Sequence, residues 1–299
     1  MAALVSMREA YGKALVAVGR ANDKVVALSA DVSNSDFSFM FQEAFPHRFF
    51  NVGIAEQSLV DVAAGFAKAG LIPFANTFAF LFATRAVEMV RTHLCYGHAN
   101  VKLMGAYAGL SDSFDGPTHN SISDLSILRS LPGMTIVVPS DPVAVAKLLP
   151  KIADWDGPVY CRLNRNEVPV LFGDSYEPQI GKAMVHRAGK DLSIISAGLM
   201  VSRSLAAAEQ LQSEGISARV VEMHTIKPLD RQAILAAAEE TGAIVTAEGR
   251  PVPVLRVGID DRFAESGPYD AILEAYGMGV SHVVSAARAA VAAKRGKGR

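Results

Sequence analysis

The sequence predicts an α/β protein built of two units, each with a mainly parallel sheet. Short apolar runs alternate with segments whose apolar residues recur at the 3.6-residue period of a helix, as in sheets joined by crossover helices. The alternation stops over residues 172–190, where Gly, Pro, Asp and Tyr interrupt it, and then resumes. With 299 residues, 50% hydrophobic and 20% charged, the composition fits two folded domains and excludes a disordered or fibrous protein.

The first unit, residues 1–172, has a regular order of predicted elements. Buried parallel strands are short apolar runs, whereas helices are longer periodic segments. The predicted elements are helix 4–18, strand 24–30, helix 56–68, strand 71–74, helix 83–94, strand 101–106, helix 119–131, strand 134–138, helix 142–152 and strand 159–163.

Residues 173–190 are predicted to be a linker, with room for a short hairpin, and residues 191–299 a second, smaller α/β domain. The same alternation of apolar runs and periodic segments defines the second domain. Its predicted elements are strand 192–196, helix 201–215, strand 218–222, helix 230–241, strand 243–247, strand 252–257 and helix 280–293.

Net charge and cysteine content limit the classes of partner and site that the sequence predicts. Lys plus Arg number 29 and Asp plus Glu 30, a net charge of −1, so nothing draws the chain toward nucleic acid or an anionic membrane. No segment approaches the ~20 apolar residues of a membrane span, and we expect a soluble, cytoplasmic protein. Cys95 and Cys161 lack metal-ligand spacing, so we expect reduced thiols and no metal site.

Three polar loops, at 29–35, 51–57 and 109–120, follow predicted strands or open a helix, where α/β sheets bind ligands. Taken alone, Glu56 is an acid favoured in the first turn of a helix, Asp115 a turn residue and His119 a surface histidine. The sequence has no Ser-His-Asp motif, metal-spaced histidine pair, GxGxxG or P-loop. Residue chemistry by itself therefore predicts an α/β protein with polar, Gly-rich loops and no defined reaction.

Four segments carry a resemblance to a known family. They are FFNVGIAEQ at 49–57, DGPTH at 115–119, LRSLPGM at 128–134 and TIKPLD at 225–230. In this order they resemble the pyrimidine-binding and C-terminal domains of transketolase, over nearly the whole chain. The chain is most similar to split transketolases, whose amino-terminal and carboxyl-terminal sections are separate polypeptides. The resemblance implies a thiamine-diphosphate-binding, pyrimidine-type domain followed by a smaller transketolase C-terminal domain.

The resemblance also implies a cofactor site. Glu56 matches the glutamate that hydrogen-bonds the aminopyrimidine ring of thiamine diphosphate and favours its imino tautomer. Phe78 matches an aromatic residue that stacks on that ring, a contact suited to a flat heterocycle. Leu81 and Phe80 are expected in the pocket wall or in the core. Arg85 either contacts the cofactor, as in related synthases, or pairs with an acidic neighbour.

Asp115 and His119 match substrate-contacting residues of the family. The aspartate contacts a sugar hydroxyl near the bond that breaks, and the histidine exchanges protons with substrate oxygens. With Glu56, His119 is therefore the second catalytic residue that the resemblance implies.

Sugar phosphates need cationic groups at the far end of the pocket. The resemblance assigns phosphate contacts to Arg8, Ser35 and Arg165, since guanidinium groups suit phosphate oxygens. Arg162, on the preceding predicted strand, is an alternative to Arg165. At the position of a substrate-binding histidine the chain has Tyr107, whose phenol carries no positive charge at neutral pH. This departure leaves room for an unusual sugar or a sulfonate.

The chain also differs from the family in two features that it is expected to lack. The Gly-Asp-Gly motif that holds the diphosphate and its Mg²⁺ or Ca²⁺ in the family is absent from the sequence. The partner, an N-terminal-section subunit, is therefore expected to supply both, so the isolated chain is expected to be inactive and the active complex to contain two copies of each chain. After Glu248 a crossover helix of the C-terminal domain is expected to be missing.

The expected function is the transfer of a two-carbon ketol unit between a ketose phosphate and an aldose phosphate. One alternative is the beta subunit of a 2-oxoacid dehydrogenase E1 enzyme, which shares the domain order and the glutamate; the segment 115–119 favours transketolase. Another is a non-catalytic assembly paralogue, suggested by Tyr107 and the shortened C-terminal domain. The presence of Glu56, Asp115 and His119 counts against the paralogue.

Overall fold

A computed structural model describes residues 4–112 and 114–245, together with 271, 274 and 275. The chain divides into two compact units, Met1–Thr246 and Ala247–Arg299, and nearly all described residues belong to the first. In the described part of the chain, no helix is long and apolar enough to cross a membrane. The predicted strand 252–257, the helix 280–293 and the shortening after Glu248 lie outside the described residues.

Helices and strands alternate along most of the described chain. The helices are α1 (Met7–Ala21), α2 (Ser33–Asp36), α3 (Phe39–Ala44), α4 (Glu56–Lys68), α5 (Ala79–Thr84), α6 (Val87–Met89), α7 (Asp124–Arg129), α8 (Pro142–Asp154), α9 (Met200–Ser213) and α10 (Arg231–Thr241). The strands are β1 (Leu4–Ser6), β2 (Val25–Ser29), β3 (Phe49–Asn51), β4 (Ile72–Phe78), β5 (Lys102–Ala106), β6 (Thr135–Val137), β7 (Val159–Arg162), β8 (Glu167–Pro169), β9 (Met184–Arg187), β10 (Leu192–Ser196), β11 (Ala218–Glu222), β12 (Thr225–Lys227) and β13 (Ile244–Val245).

A seven-stranded sheet forms the centre of the first unit, in the order β12-β6-β7-β5-β4-β2-β3. All its pairs are parallel except β12 with β6. Every residue of β2 and β5 is buried, as expected for strands covered on both faces. On one face, Val25 and Ala27 belong to the hydrophobic core that also contains residues of α1 and α8.

Local sequence explains where the two helices on that face begin. The Ser6 side chain accepts a hydrogen bond from the Glu9 N–H at the start of α1. Asp141 does the same for Ala144 at the start of α8, where Pro142 occupies the first helical position. Both side chains satisfy donors that a helix leaves unpaired at its first turn.

Two smaller sheets follow. The strands β13-β10-β11-β9 form one, with β9 antiparallel to β11, and β1 pairs with β8 in an antiparallel ribbon. The strand β9 lies inside the segment 173–190. The strand β12, which comes after that segment, joins the large sheet through Thr225 and Lys227.

Three predicted helices differ from the observed ones. The segment 119–131 is helical only over Asp124–Arg129, because the backbone of Ser121 forms hydrogen bonds with Gly109 instead. The segment 83–94 divides into α5, α6 and a π-helical segment, Val90–Tyr96. It breaks where the Ala86 N–H bonds Leu81, five residues back. The first helix begins at Met7, since residues 4–6 form β1.

Candidate active site

Loops after five parallel strands meet at one edge of the large sheet. They follow β2, β3, β4, β5 and β7, whose carboxyl ends share that edge. Asn51 connects two of these loops, since its amide donates to Asp31 at 2.8 Å and its Oδ1 accepts from the Gly53 N–H at 2.9 Å. The residues that the family resemblance assigns to the cofactor and substrate sites lie in or beside these loops.

Backbone strain is concentrated at the same edge. Asp31, Phe37 and Tyr107 have φ angles of 62°, 68° and 60°, in the left-handed region that non-glycine residues rarely adopt. Each such residue costs of order 1–3 kcal/mol and persists only where its surroundings enforce it. The backbone conformation of these three residues therefore lowers the free energy of unfolding.

Glu56 is the first residue of α4 and is only 1% exposed. Among the described residues its carboxylate has one partner, Arg85, whose Nη1 donates to Oε2 at 2.9 Å. The Arg85 side chain is 50% exposed and lies at the end of α5. Of the two expected roles for Arg85, the structure shows the ion pair with an acidic neighbour, and that neighbour is Glu56.

Aromatic rings form a wall at the end of β4. The Phe78 ring stacks on Tyr107, with centroids 4.7 Å apart and an 18° angle between the planes. The His119 ring lies edge-on to Phe78 at 6.3 Å and to Phe80 at 5.4 Å. Phe80 therefore contacts the site, whereas Leu81 is buried at the start of α5.

Two arginines contact Tyr107. The guanidinium carbons of Arg8 and Arg165 lie 5.3 Å and 4.8 Å from the centroid of its ring, in the range of cation–π contacts. Arg8 donates to the Tyr107 hydroxyl at 3.1 Å, and to the backbone carbonyls of Ser35 at 2.6 Å and Arg165 at 2.9 Å. The structure thus brings together four residues that the resemblance assigned to substrate binding.

Arg165 is also paired with carboxylates. Its Nη1 donates to Asp115 at 3.2 Å and to Asp112 at shorter range. Asp112 is a site residue that the sequence analysis did not identify; its spacing of three residues from Asp115 was the available signal. Burial and the adjacent Asp115 carboxyl raise the pKa of Asp112, an effect that Arg165 partly offsets.

Arg162 forms its ion pair with Asp124 and not with the acids that contact Arg165. Its Nε and Nη2 donate to the two carboxylate oxygens of Asp124 at 2.7 Å and 3.2 Å, and Nη2 also donates to the Ser121 carbonyl at 3.1 Å. A Cβ added at Gly109, whose φ is 64°, would lie 3.2 Å from this guanidinium. Arg162 is thus occupied in a buried ion pair, and the alternative that it replaces Arg165 is not supported.

Two family models match the chain. The transketolase pyrimidine-binding domain matches residues 3–170 and the transketolase C-terminal domain matches residues 181–252. The chain belongs to the transketolase family. The resemblance read from the four segments and the α/β fold class are confirmed. Transketolases are transferases that use thiamine diphosphate.

Relatives include separate subunits. The chain is 36% identical to the 6-deoxy-6-sulfo-D-fructose transketolase subunit of Clostridium sp. (strain MSTE9), over 94% of this chain and 93% of the relative. It is 35% identical to a putative transketolase C-terminal section of Methanocaldococcus jannaschii, over 91% and 92%. Human transketolase is 39% identical over 82% of this chain, which spans only 40% of the human protein.

A solved structure described as a split gene transketolase, inactive beta4 tetramer, has the same fold. Its TM-score is 0.76 at 42% identity, and the match covers 96% of this chain and 99% of that chain. The Clostridium relative, the Methanocaldococcus relative and the solved chain, all of similar length to this chain, are thus described as a subunit, a section and a split-gene product of transketolase.

The residues present fit one end of thiamine diphosphate. Glu56 is a buried carboxylate with a single partner among the described residues, so it has acceptor capacity for a ring N–H. Phe78, at the end of a strand of the same sheet edge, supplies a flat aromatic ring, which stacks on Tyr107. In the described ranges, no three His, Cys, Asp or Glu side chains are grouped to hold a metal ion.

Proposed function

We propose that this chain is the C-terminal subunit of a split transketolase that transfers a two-carbon ketol unit from a ketose phosphate to an aldose phosphate. The observation that carries the proposal is Glu56, a buried carboxylate with one protein partner, placed at the shared edge of five parallel strands. The names of the similar subunits support the same reaction class.

Thiamine diphosphate supplies the carbon nucleophile of this reaction when bound. In the proposal, Glu56 accepts a hydrogen bond from the aminopyrimidine ring and holds it in the required tautomer. Arg85 orients the Glu56 carboxylate, and Phe78 and Leu81 form the apolar wall of the cofactor pocket. The cost of burying Glu56 is thereby offset by one guanidinium and by the first turn of α4.

His119 is proposed to move protons to and from substrate oxygens, and Asp115 to bind a sugar hydroxyl beside the bond that breaks. The edge-on contact of His119 with Phe78 and Phe80 places it over the aromatic wall. Arg8, Ser35, Tyr107 and Arg165 are proposed to contact the anionic end of the sugar. Two similar subunits are named for sugars that carry an anionic group, 6-deoxy-6-sulfo-D-fructose and apulose 4-phosphate.

The proposed partner is an N-terminal-section subunit that holds the diphosphate and its Mg²⁺ or Ca²⁺, in a complex of two chains of each kind. The description of a similar split-enzyme chain as an inactive beta4 tetramer supports this partner requirement.

Reconstitution tests the proposal. The chain is co-expressed with an N-terminal-section transketolase subunit from the same organism, purified as a complex, and assayed for ketol transfer with thiamine diphosphate and Mg²⁺. We expect activity from the pair and none from either chain alone. Activity from this chain alone would refute the partner requirement. A stable complex that transfers no ketol unit from any of several donors would support the non-catalytic paralogue instead.

A further inference from the structure

The charges around Tyr107 are unequal on its two sides. On one side, the Arg165 guanidinium is shared by Asp112 and Asp115. On the other, Arg8 has no carboxylate partner among the described residues, and its hydrogen bonds go to two carbonyls and a phenol. The Nη2 group of Arg8 has no hydrogen-bond partner in the same part of the chain, so it is available to an anion.

The formal charge of this cluster is small. Arg8 and Arg165 contribute two positive charges, whereas Asp112 and Asp115 contribute two negative ones when ionised. Asp36, the other acid near Arg8, is buried and its pKa lies at about 7, so it adds negative charge as the pH rises past neutrality. Tyr107, between the two arginines, is a phenol and supplies no positive charge.

Asp112 is the unusual member of the cluster. It is 1% exposed, and its second oxygen, Oδ2, has no hydrogen-bond partner among the described residues. An unsatisfied oxygen on a buried carboxyl costs stability. Asp112 is therefore incompletely satisfied by the described residues, and its one ionic partner among them is Arg165, whose charge it offsets.

We propose that Asp112 determines specificity by neutralising Arg165, so that the subsite formed by Arg8, Tyr107 and Arg165 prefers a sugar with a monoanionic terminus, such as a sulfonate, over a dianionic phosphate. A phosphate monoester carries nearly two negative charges at pH 7, whereas a sulfonate carries one. Arg8 balances one charge of the ligand, and the second charge of a phosphate then meets Asp112 and Asp115, which already share Arg165. This inference rests on the proposed function for the location of the substrate and refines its substrate class, since it ranks a sulfonate-terminated sugar above the sugar phosphates named there.

The first test is direct binding to the full chain, because all three subsite residues belong to it. Glycerol 3-phosphate and 2,3-dihydroxypropane-1-sulfonate share a three-carbon skeleton; they differ in terminal charge and in the ester oxygen of the phosphate, and the second difference is the same for every variant. Titration calorimetry at pH 7.5 is expected to show tighter binding of the sulfonate by the natural chain. Asp112→Asn keeps the shape of the side chain and removes its charge, and we expect the sulfonate-to-phosphate affinity ratio to fall about tenfold.

Glu177→Gln is the matched control, since Glu177 is an exposed acid paired with Lys147 away from this edge. Its affinity ratio is expected to equal that of the natural chain. An unchanged ratio in Asp112→Asn, or tighter phosphate binding by the natural chain, would overturn the inference. A variant that fails to fold is recognised by circular dichroism, and Asp112→Glu, which keeps the charge, must then retain the natural ratio.

The second test uses the reconstituted complex and separates the two proposals. Ketose donors with matched sulfonate, phosphate and hydroxyl termini are compared by kcat/KM. Asp112→Asn is expected to raise the value for the phosphate donor relative to the values for the sulfonate and hydroxyl donors. If no donor reacts while the binding ratio changes as expected, the proposed function fails and the inference on charge stands. If the donors react but Asp112→Asn changes kcat/KM equally for all of them, the proposed function stands and the inference on charge fails.

Discussion

Two buried glutamates occupy opposite situations in this molecule. Glu56 has one partner among the described residues, Arg85, and that partner is itself half-exposed. Glu222, at the end of β11, is 0% exposed and is surrounded by donors: the hydroxyls of Ser140 and Tyr176 donate to it, and the Nε2 of His186 lies 2.7 Å from Oε2.

The environment of Glu222 joins distant parts of the chain. Ser140 precedes α8, Tyr176 lies in the segment 173–190, and His186 lies on β9. Burial raises the pKa of Glu222, but hydrogen bonds from His186 and Ser140 outweigh it, so the pKa lies below its ordinary value. A carboxylate with this many protein donors has a structural role.

The two glutamates differ in how far protein donors offset the cost of burying a carboxylate. Both glutamates are removed from water, which is costly for a charged group. Glu222 recovers that cost within the protein, whereas Glu56 keeps acceptor capacity and lies at an edge where strained loops meet. Incomplete partnering therefore favours a ligand role for Glu56, and complete partnering favours a stabilising role for Glu222.

The largest expected effect is on turnover. Glu56→Gln preserves shape and removes the carboxylate that the proposed function needs, so ketol transfer by the reconstituted complex is expected to fall about 10²–10⁴-fold. Because Arg85 is half-exposed and regains water, the free energy of unfolding is expected to change by less than about 1 kcal/mol. Equal activity in the variant and the natural complex would remove Glu56 from the mechanism.

Glu222→Ala is expected to act in the opposite way. It leaves the Ser140, Tyr176 and His186 donors without an acceptor, and breaking such a buried group costs about 3–5 kcal/mol in urea unfolding. Glu240→Ala is the control, because Glu240 is an exposed acid paired with Arg219 and should cost less than about 1 kcal/mol. Similar losses in both variants would contradict the structural role of Glu222.

A third buried acid, Asp36, gives a pH dependence. Burial raises its pKa from 3.8 to about 7, against smaller opposing effects of Ser38 and Arg8. The folded state therefore retains a proton that the unfolded state releases, and stability is full below pH ~4 and lost as the pH rises through about 7. The free energy of unfolding is expected to fall by up to about 1.4 kcal/mol per pH unit in this window.

Asp36→Asn removes this titration, and Asp23→Asn, at a fully exposed position, does not. Urea unfolding at pH 5, 6 and 7 and one fixed protein concentration measures the slopes. The Asp36→Asn slope is expected to be smaller by the stated amount, and a slope equal to that of the Asp23→Asn control would show that Asp36 is not the titrating group.

Regular elements were predicted well where local sequence determines them. The apolar periodicity from Glu56 to Lys68 gave the bounds of α4, and the apolar runs gave those of β10 and β11. The strands β1, β3, β8, β9 and β12 were missed, since they are short and depend on partners elsewhere in the chain. The loop before α7 was predicted as helix because the pairing of Ser121 with Gly109 has no local signal.

The candidate site shows the same limit. Family motifs identified Arg8, Tyr107 and Arg165, which the structure brings together, and their roles stay predictions. Asp112 was missed because its partner Arg165 lies 53 residues away, and an acid in a polar loop reads as a turn residue. Glu222 was missed for a related reason, since its donors Ser140, Tyr176 and His186 lie 82, 46 and 36 residues away in the chain.

The smallest expected effect compares one partner of each glutamate. Arg85→Gln removes the guanidinium that offsets the burial of the Glu56 carboxylate, with an expected loss of about 1–3 kcal/mol. His186→Phe keeps a ring against Phe172 and removes one donor to Glu222, with an expected loss of about 1–3 kcal/mol.

In the reconstituted complex, Arg85→Gln should raise the half-saturating thiamine diphosphate concentration by less than about tenfold, and His186→Phe should leave it unchanged. If His186→Phe weakened cofactor activation as much as Arg85→Gln did, the division between a ligand-binding and a structural glutamate would be wrong.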